Sequence, residues 1–236
     1  MDWLNAIHEI TRTNTKSSWR DLPKLLSVQQ SAKTKIGILI SGRGSNMLAL
    51  ADAVDDGRIP NTEIALVVSD KPQAAGIEHA AGRGLKTRII ERRGRSREDH
   101  DRETVAALRE NGVELVCLAG YMRLLSAYFI DAYRNRILNI HPSLLPAFPG
   151  LDAHGQALAA GVTSSGCTVH FVDETLDGGP IIAQRTVPVL SGDTEESLAA
   201  RILEQEHQLY AEAVALIVAG EIEVVGDRVL RKNQER

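Results

Sequence analysis

Six short apolar, β-branched runs follow one another from residue 35: KIGILI (35–40), IALVVS (64–69), KTRII (86–90), LVCLA (115–119), RILNI (136–140) and TVHFV (168–172). The first five are separated by segments long enough for a helix. No other pattern in the chain constrains its fold as tightly. Runs that are continuous rather than alternating mark strands covered on both faces. Strand–helix alternation then requires right-handed crossovers and an α/β, doubly wound, mostly parallel sheet. PIIAQRTVPV (180–189) reads as a further strand, and SLAARILEQEHQLYAEAVALIVAG (197–220) as a long helix with Gly220 as its C-cap. A chain of 236 residues, 43% hydrophobic, suffices for one large core.

The flanks read differently. Residues 1–34 are polar, hold both tryptophans (Trp3 and Trp19), and suggest one helix around residues 2–10. They lack the apolar centre of a secretory signal, and Asp2, Glu9 and Asp21 argue against a transit peptide. The expected organisation is an N-terminal extension of unknown role (1–34), a single domain (35–225) and a C-terminal tail (226–236). No internal repeat or low-complexity tract divides it.

Lys plus Arg is 27 and Asp plus Glu is 31, a formal charge of −4. Nothing in that balance favours nucleic acid or an anionic membrane. No run approaches the roughly 18 apolar residues of a membrane span. The two cysteines, Cys117 and Cys167, lie in apolar runs outside any CxxC pair, which points to a reduced, cytoplasmic protein.

In a doubly wound sheet, ligands bind beyond the carboxyl ends of the strands. The first strand ends in SGRGSNM (41–47), where Gly42 and Gly44 permit a tight turn and close backbone approach. Ser45 or Asn46 could begin a helix whose free N–H groups suit a phosphate. Met47 replaces the third glycine of the dinucleotide fingerprint, and no Gly-Lys-Ser/Thr is present for a P-loop. This loop therefore reads equally as a turn that needs glycine.

Later strand ends carry more chemistry. AGYMRLLS (119–126) mixes apolar and polar residues, NIH (139–141) ends a strand on an amide and an imidazole, and DETLDGGP (173–180) adds an acidic loop. Asn139 and His141 are two apart, so on a strand they share a face. Pro142, Pro146 and Pro149 stiffen the loop behind them. An amide stabilises a developing oxyanion, an imidazole handles a proton, and a carboxylate such as Asp177 can raise the imidazole's pKa or orient a water. Acyl transfer requires that set.

SGRGSN, LAGYMRLLS, NIHPSLLPAFPGLDAH and VHFVDETLDGGPII together resemble the formyltransferase family that uses 10-formyltetrahydrofolate. The likeness runs from about residue 35 to 225, and the Ser-Gly-x-Gly-Ser-Asn loop resembles the branch whose acceptor is phosphoribosylglycinamide, in purine biosynthesis. The resemblance implies a Rossmann-like domain and 10-formyltetrahydrofolate as cosubstrate, with no metal. The implied catalytic set is Asn139 on the tetrahedral oxyanion, His141 delivering a proton to the leaving folate nitrogen, and Asp177 sustaining the imidazolium or relaying the amine proton through water. Gly44, Ser45, Asn46 and Glu206 would contact the nucleotide acceptor. Met122, Arg123, Leu124 and Leu125 would line the pterin pocket, with Asp173, Glu174, Thr175, Leu176 and Asp177 around its polar edge, Asn139 beside them and Arg97 near the folate. Asp152 stands where relatives commonly carry histidine. Partners would be small molecules, with monomer and homodimer both open.

Some of these positions have competing readings. Glu206 falls on or beside the stripe formed by Leu198, Ile202, Leu209 and Ala213, where a carboxylate needs a partner: the acceptor, or an arginine in a structural ion pair. Arg97 also reads as a solvated charge at a helix start. His8, His79, His100 and His207 read as surface or helix residues, His154 as support for the proline loop, and His170 as a satisfied core group. His141, His154 and His170 have no recognised metal-ligand spacing, and Cys117 sits mid-strand, a poor place for a nucleophile.

Three other functions compete. A 10-formyltetrahydrofolate hydrolase shares Asn, His and Asp, but carries a regulatory domain in front that 34 residues do not supply. A methionyl-tRNA formyltransferase would need a further C-terminal domain and a basic excess. A non-catalytic nucleotide-binding module would leave Asn139, His141 and Asp177 unexplained.

Overall fold

The computed structural model describes residues 32–232. The helix expected around residues 2–10 lies outside the described residues, as do Trp19 and the last four residues of the tail.

β1 (Thr34–Ile40), β2 (Thr62–Ser69), β3 (Thr87–Ile89), β4 (Leu115–Leu118), β5 (Ile137–His141), β6 (Ser164–Phe171) and β7 (Ile181–Pro188) form one sheet in the order β3-β2-β1-β4-β5-β6-β7. The β1–β2, β1–β4, β2–β3 and β4–β5 pairs are parallel, and β5–β6 and β6–β7 are antiparallel. The mostly parallel, doubly wound α/β sheet expected from the apolar runs is thus the observed one. Helices α1 (Ser45–Asp55), α2 (Ala75–Gly82), α3 (Arg97–Glu110), α4 (Ala127–Ala132), α5 (Ala153–Ala159) and α6 (Glu195–Val218) cover it.

The burial of β1 explains why its run is apolar throughout. Ile36, Ile38 and Ile40 join one core with Met47 and Leu50 of α1 and Leu198, Ile202 and Tyr210 of α6. Leu39 faces the opposite core, with Val105 and Leu108 of α3 and Phe129 and Tyr133 at α4. Each face of the strand therefore meets its own helical layer.

The long helix begins two residues earlier than its apolar pattern suggested. Thr194 caps it through a reciprocal capping box with Ser197, and Glu195 and Glu196 occupy the first turn, where acidic residues favour the dipole. Its end falls as expected: Gly220 follows with φ 68° and donates its N–H to Ile217 O at 2.9 Å. Beyond it, β8 (Ile222–Val225) and β9 (Arg228–Arg231) form an antiparallel hairpin, with β8 at the end of the expected domain and β9 within the segment expected to be a tail.

This topology fixes where a ligand can bind. β1 lies between β2 and β4, so the chain reverses its winding there, and the crevice beyond the carboxyl ends of β1 and β4 is the switch point of the sheet.

Candidate active site

The loop after β1 is held in one shape by its glycine. Gly44 has φ 76°, and a Cβ there would stand 2.9 Å from Gly76 Cα, so both the left-handed conformation and the contact require glycine. The first turn of α1 follows directly, with no side chain capping it. Beside this loop, Ser41 Oγ donates to Asp70 Oδ1 at 2.6 Å and accepts from Met122 N at 2.9 Å. The ends of β1, β2 and β4 are thereby tied together.

Asn46 lies on the core side of α1. Its Nδ2 donates to Glu206 Oε2 at 2.8 Å, and its Oδ1 is buried without a partner. Glu206 is only 7% exposed, and burial raises its pKa above the ordinary carboxylate value while the bond from Asn46 opposes the rise. The partner of Glu206 is thus an amide, and the arginine considered for it is not the group it meets.

The opposite wall is built by β5 and β6. Asn139 pairs with His170 and His141 with Thr168 across the antiparallel ladder, so these side chains share one face of the sheet. His170 Nδ1 is 2.8 Å from Phe171 O. A carbonyl only accepts, so Nδ1 carries the hydrogen and Nε2 presents a lone pair. Asn139 Nδ2 donates to that lone pair at 3.3 Å, which leaves its second N–H for the cleft. Burial lowers the pKa of His170, in keeping with a neutral ring.

His141 is 5% exposed. Its Nε2 donates to Phe148 O at 2.9 Å, and its Nδ1 faces Asp177 Oδ2 at 3.5 Å. Both neighbours are acceptors, so each ring nitrogen of His141 faces an oxygen. Asp177 Oδ2 also accepts from Gly150 N at 2.8 Å, and its Oδ1 lies 3.7 Å from His170 Nε2. One carboxylate therefore stands between two imidazoles.

The proline loop is pinned from beneath. Thr168 Oγ1 donates to Ser143 O and accepts from Leu145 N, and Gln184 Nε2 donates to Leu145 O at 2.8 Å. Phe148, Asp152 and Asp177 all have positive φ, between 51° and 59°. Such backbone is strained in a residue as bulky as phenylalanine, and its gathering around one histidine marks a constrained site. The Gly178–Gly179 turn closes against β6: a Cβ on Gly179 would lie 2.0 Å from Phe171 O.

These walls enclose a cleft of about 710 Å³. Arg97, Met122, Arg123, Leu124, Leu125, Asn139, His141 and residues 173–177 all line it. Met122 is 62% exposed and Leu151 79%, so the rim offers apolar surface that a flat organic ring would cover. Arg123 Nη1 is buried without a partner in the same wall. Gly44, Ser45, Asn46 and Glu206 are not part of this lining; they sit on the β1 side of the crevice, joined to it through Ser41 and Met122.

A family comparison fits this architecture. The formyl transferase family model matches residues 34–214. The chain belongs to the formyl transferase family. It is 43% identical over 190 residues to phosphoribosylglycinamide formyltransferase of Escherichia coli, covering 80% of this chain and 89% of that protein. It is also 43% identical over 221 residues to the trifunctional purine biosynthetic protein adenosine-3 of Drosophila pseudoobscura pseudoobscura, which spans 93% of this chain but only 16% of that longer protein. The crystal structure of glycinamide ribonucleotide transformylase 1 from Symbiobacterium toebii matches with a TM-score of 0.84 and 48% identity, over 86% of this chain and 96% of that one.

Several readings of single residues change. His170, expected as a satisfied core group, is buried but adjoins both Asn139 and Asp177. Only the β5–β6 register reveals this, and no local signal carries it. His100 lies on a helix as expected, but it is fully buried, with Nε2 donating to Ile90 O at 2.7 Å. Cys117 is buried in β4, and desolvation pushes its thiol up to about 12, which leaves it a poor nucleophile.

Proposed function

We propose that this formyl transferase moves the formyl group of 10-formyltetrahydrofolate to the amine of phosphoribosylglycinamide. The observation that carries the reading is the assembly of Asn139, His141 and Asp177 on one wall of a cleft with an apolar rim. The similarity of nearly the whole described chain to enzymes named for that acceptor supports it.

The neutral amine attacks the formyl carbon and negative charge grows on the formyl oxygen. The free N–H of Asn139, held in place by His170, donates to that oxygen. His141 supplies the second contact and the proton for the departing folate nitrogen. Its Nε2 is engaged by Phe148 O, so that bond breaks as the donor enters. Asp177 holds the other ring nitrogen and accepts the amine proton through water. The folate lies against Met122, Arg123, Leu124 and Leu125, with residues 173–177 at the pterin edge and Arg97 and Arg123 facing its carboxylates. The acceptor's phosphate meets the backbone of Gly44, Ser45 and Asn46, and its hydroxyls meet Glu206 and the unpartnered Asn46 Oδ1.

Residues 35–225 hold every group named here. Two buried, free thiols accord with a reducing, cytoplasmic setting. No described helix is long and apolar enough to cross a membrane. The test is an acceptor panel: donor is supplied with phosphoribosylglycinamide, its dephosphorylated riboside, or water alone, and the absorbance of deformylated folate is followed. Fast release with the nucleotide alone is the expected result. Equal specificity constants for nucleotide and riboside would remove the Gly44–Asn46 loop from phosphate recognition, and equal release with water would indicate a hydrolase.

A further inference from the structure

No residue of α2 lines the catalytic cleft, yet this helix touches three successive residues of the loop after β1. Gly76 N donates to Gly42 O at 3.0 Å. His79 Nδ1 is 3.3 Å from Arg43 O. A carbonyl only accepts, so Nδ1 carries the hydrogen. Gly76 Cα is also the atom that a Cβ on Gly44 would meet. The far end of α2 is fastened too: Arg83, its C-cap, reaches Asp52 Oδ1 at 2.6 Å and Asp55 Oδ2 at 2.8 Å on α1.

These contacts decide which way the N–H groups of the loop face. In a trans peptide the C=O and the N–H point in opposite directions. With Gly42 O and Arg43 O both turned toward α2, the N–H groups of Arg43 and Gly44 turn away from it. Gly44 O accepts from Leu48 N at 2.9 Å, so the next carbonyl is spent inside α1. The N–H groups of Arg43 and Gly44 donate to no group among the described residues. Adjacent N–H groups turned to one side, with Gly44 left-handed and a helix N-terminus following, form an anion-binding concavity.

We infer that His79 is a positioning residue for the acceptor: it holds the Arg43 carbonyl and so aims the Gly44 N–H at the acceptor's phosphate. The inference rests on the reading of Gly44, Ser45 and Asn46 as the phosphate site. Gly76 acts on the neighbouring peptide through its backbone, whereas His79 acts through a side chain that can be removed singly. Its ring is exposed, and Ile77 and Ala80 supply the buried contacts of α2, so His79 is not needed to fill the core. Its removal should therefore disturb the orientation of one peptide rather than the fold.

The test uses the full chain with His79→Ala and His79→Asn, and compares phosphoribosylglycinamide with its dephosphorylated riboside. Asparagine brings an amide N–H close to the place of Nδ1, so it can keep the bond to Arg43 O. In His79→Ala the specificity constant for the nucleotide should fall about five- to tenfold, the scale of one hydrogen bond, and through KM alone. Its kcat, its donor KM and its specificity constant for the riboside should hold, because the riboside has no phosphate to meet the loop. His79→Asn should recover most of the loss. An alanine variant that keeps the wild-type preference for the nucleotide, one that loses nucleotide and riboside alike, or an asparagine variant no better than alanine would each overturn the role of His79. A wild type that does not distinguish the two acceptors would instead refute the phosphate reading, and the positioning role with it. Calorimetric titration of both acceptors without donor reads the same ratios as Kd values, so the outcome does not depend on turnover.

Discussion

Asp177 Oδ2 stands 3.5 Å from His141 Nδ1 and takes the N–H of Gly150 at 2.8 Å, so one carboxylate oxygen both faces the imidazole and anchors the proline loop. Asp177 does this from a left-handed backbone, at φ 51°. Asparagine tolerates that conformation and keeps one oxygen to accept from Gly150, so Asp177→Asn is a clean removal of charge.

Asp177→Asn should fold normally and bind a folate analogue within a few-fold of wild type, because the wall at Met122–Leu125 is untouched. Its kcat should fall about 10²-fold or more, the scale on which a positioned acid–base group acts. Steady-state kinetics and analogue titration check this. Full activity would separate the Asp-Gly-Gly-Pro loop from catalysis.

His170→Ala tests whether His170 orients the Asn139 amide. Without the ring, the amide loses its fixed rotamer but remains in the cleft. The expected outcome is a kcat about tenfold or more below wild type, less than or equal to the loss on removing an oxyanion donor itself. KM for the donor should change little. A variant impaired in donor KM alone would make His170 part of the folate wall instead.

The sequence made some of this architecture legible and withheld the rest for identifiable reasons. The apolar runs show the parallel strands because each face of a strand such as β1 meets a helix, so no residue is free to be polar. The end of α6 was legible because Gly220 adopts a conformation that other residues resist. The pairing of His170 with Asn139 was not legible, because register between β5 and β6 is a property of two segments about thirty residues apart, and either segment alone reads only as a strand. His100 looks polar on a charged helix, yet the Ile90 carbonyl and the Asp101 carboxylate at 3.4 Å satisfy it in the interior. The hairpin of β8 and β9 consists of two four-residue strands that alternate weakly, so periodicity gave it no weight.

Glu206→Gln should act oppositely on stability and on acceptor use. Burial raises the carboxyl pKa above 4.5, the value in the unfolded chain. Below 4.5 the group is protonated in both states and costs nothing. Between 4.5 and the raised folded value the unfolded chain ionises while the buried carboxyl stays protonated, so native stability falls across that window and levels off above it. The glutamine variant escapes that fall. Its Tm should exceed wild type at pH 7, and the gap should close toward pH 4.5. Its acceptor KM should rise about tenfold, since a charge-assisted bond to the ribose is lost. Thermal melts across pH and acceptor kinetics check both parts.

Gly44→Ala should weaken both fold and acceptor binding. The new Cβ meets Gly76 Cα at 2.9 Å from a backbone at φ 76°. Strain of this kind costs about 1–3 kcal/mol. Denaturant unfolding should show that loss with an unchanged m-value, and acceptor KM should rise while donor KM holds.

The central claim is the route of the formyl carbon, and following that carbon tests it most directly. Donor labelled with ¹³C in the formyl group is incubated with the protein and phosphoribosylglycinamide, and the products are read by NMR. The label should pass to the amide of the formylated nucleotide in step with folate release. Label recovered as formate at the same rate, with or without the nucleotide, would contradict the account.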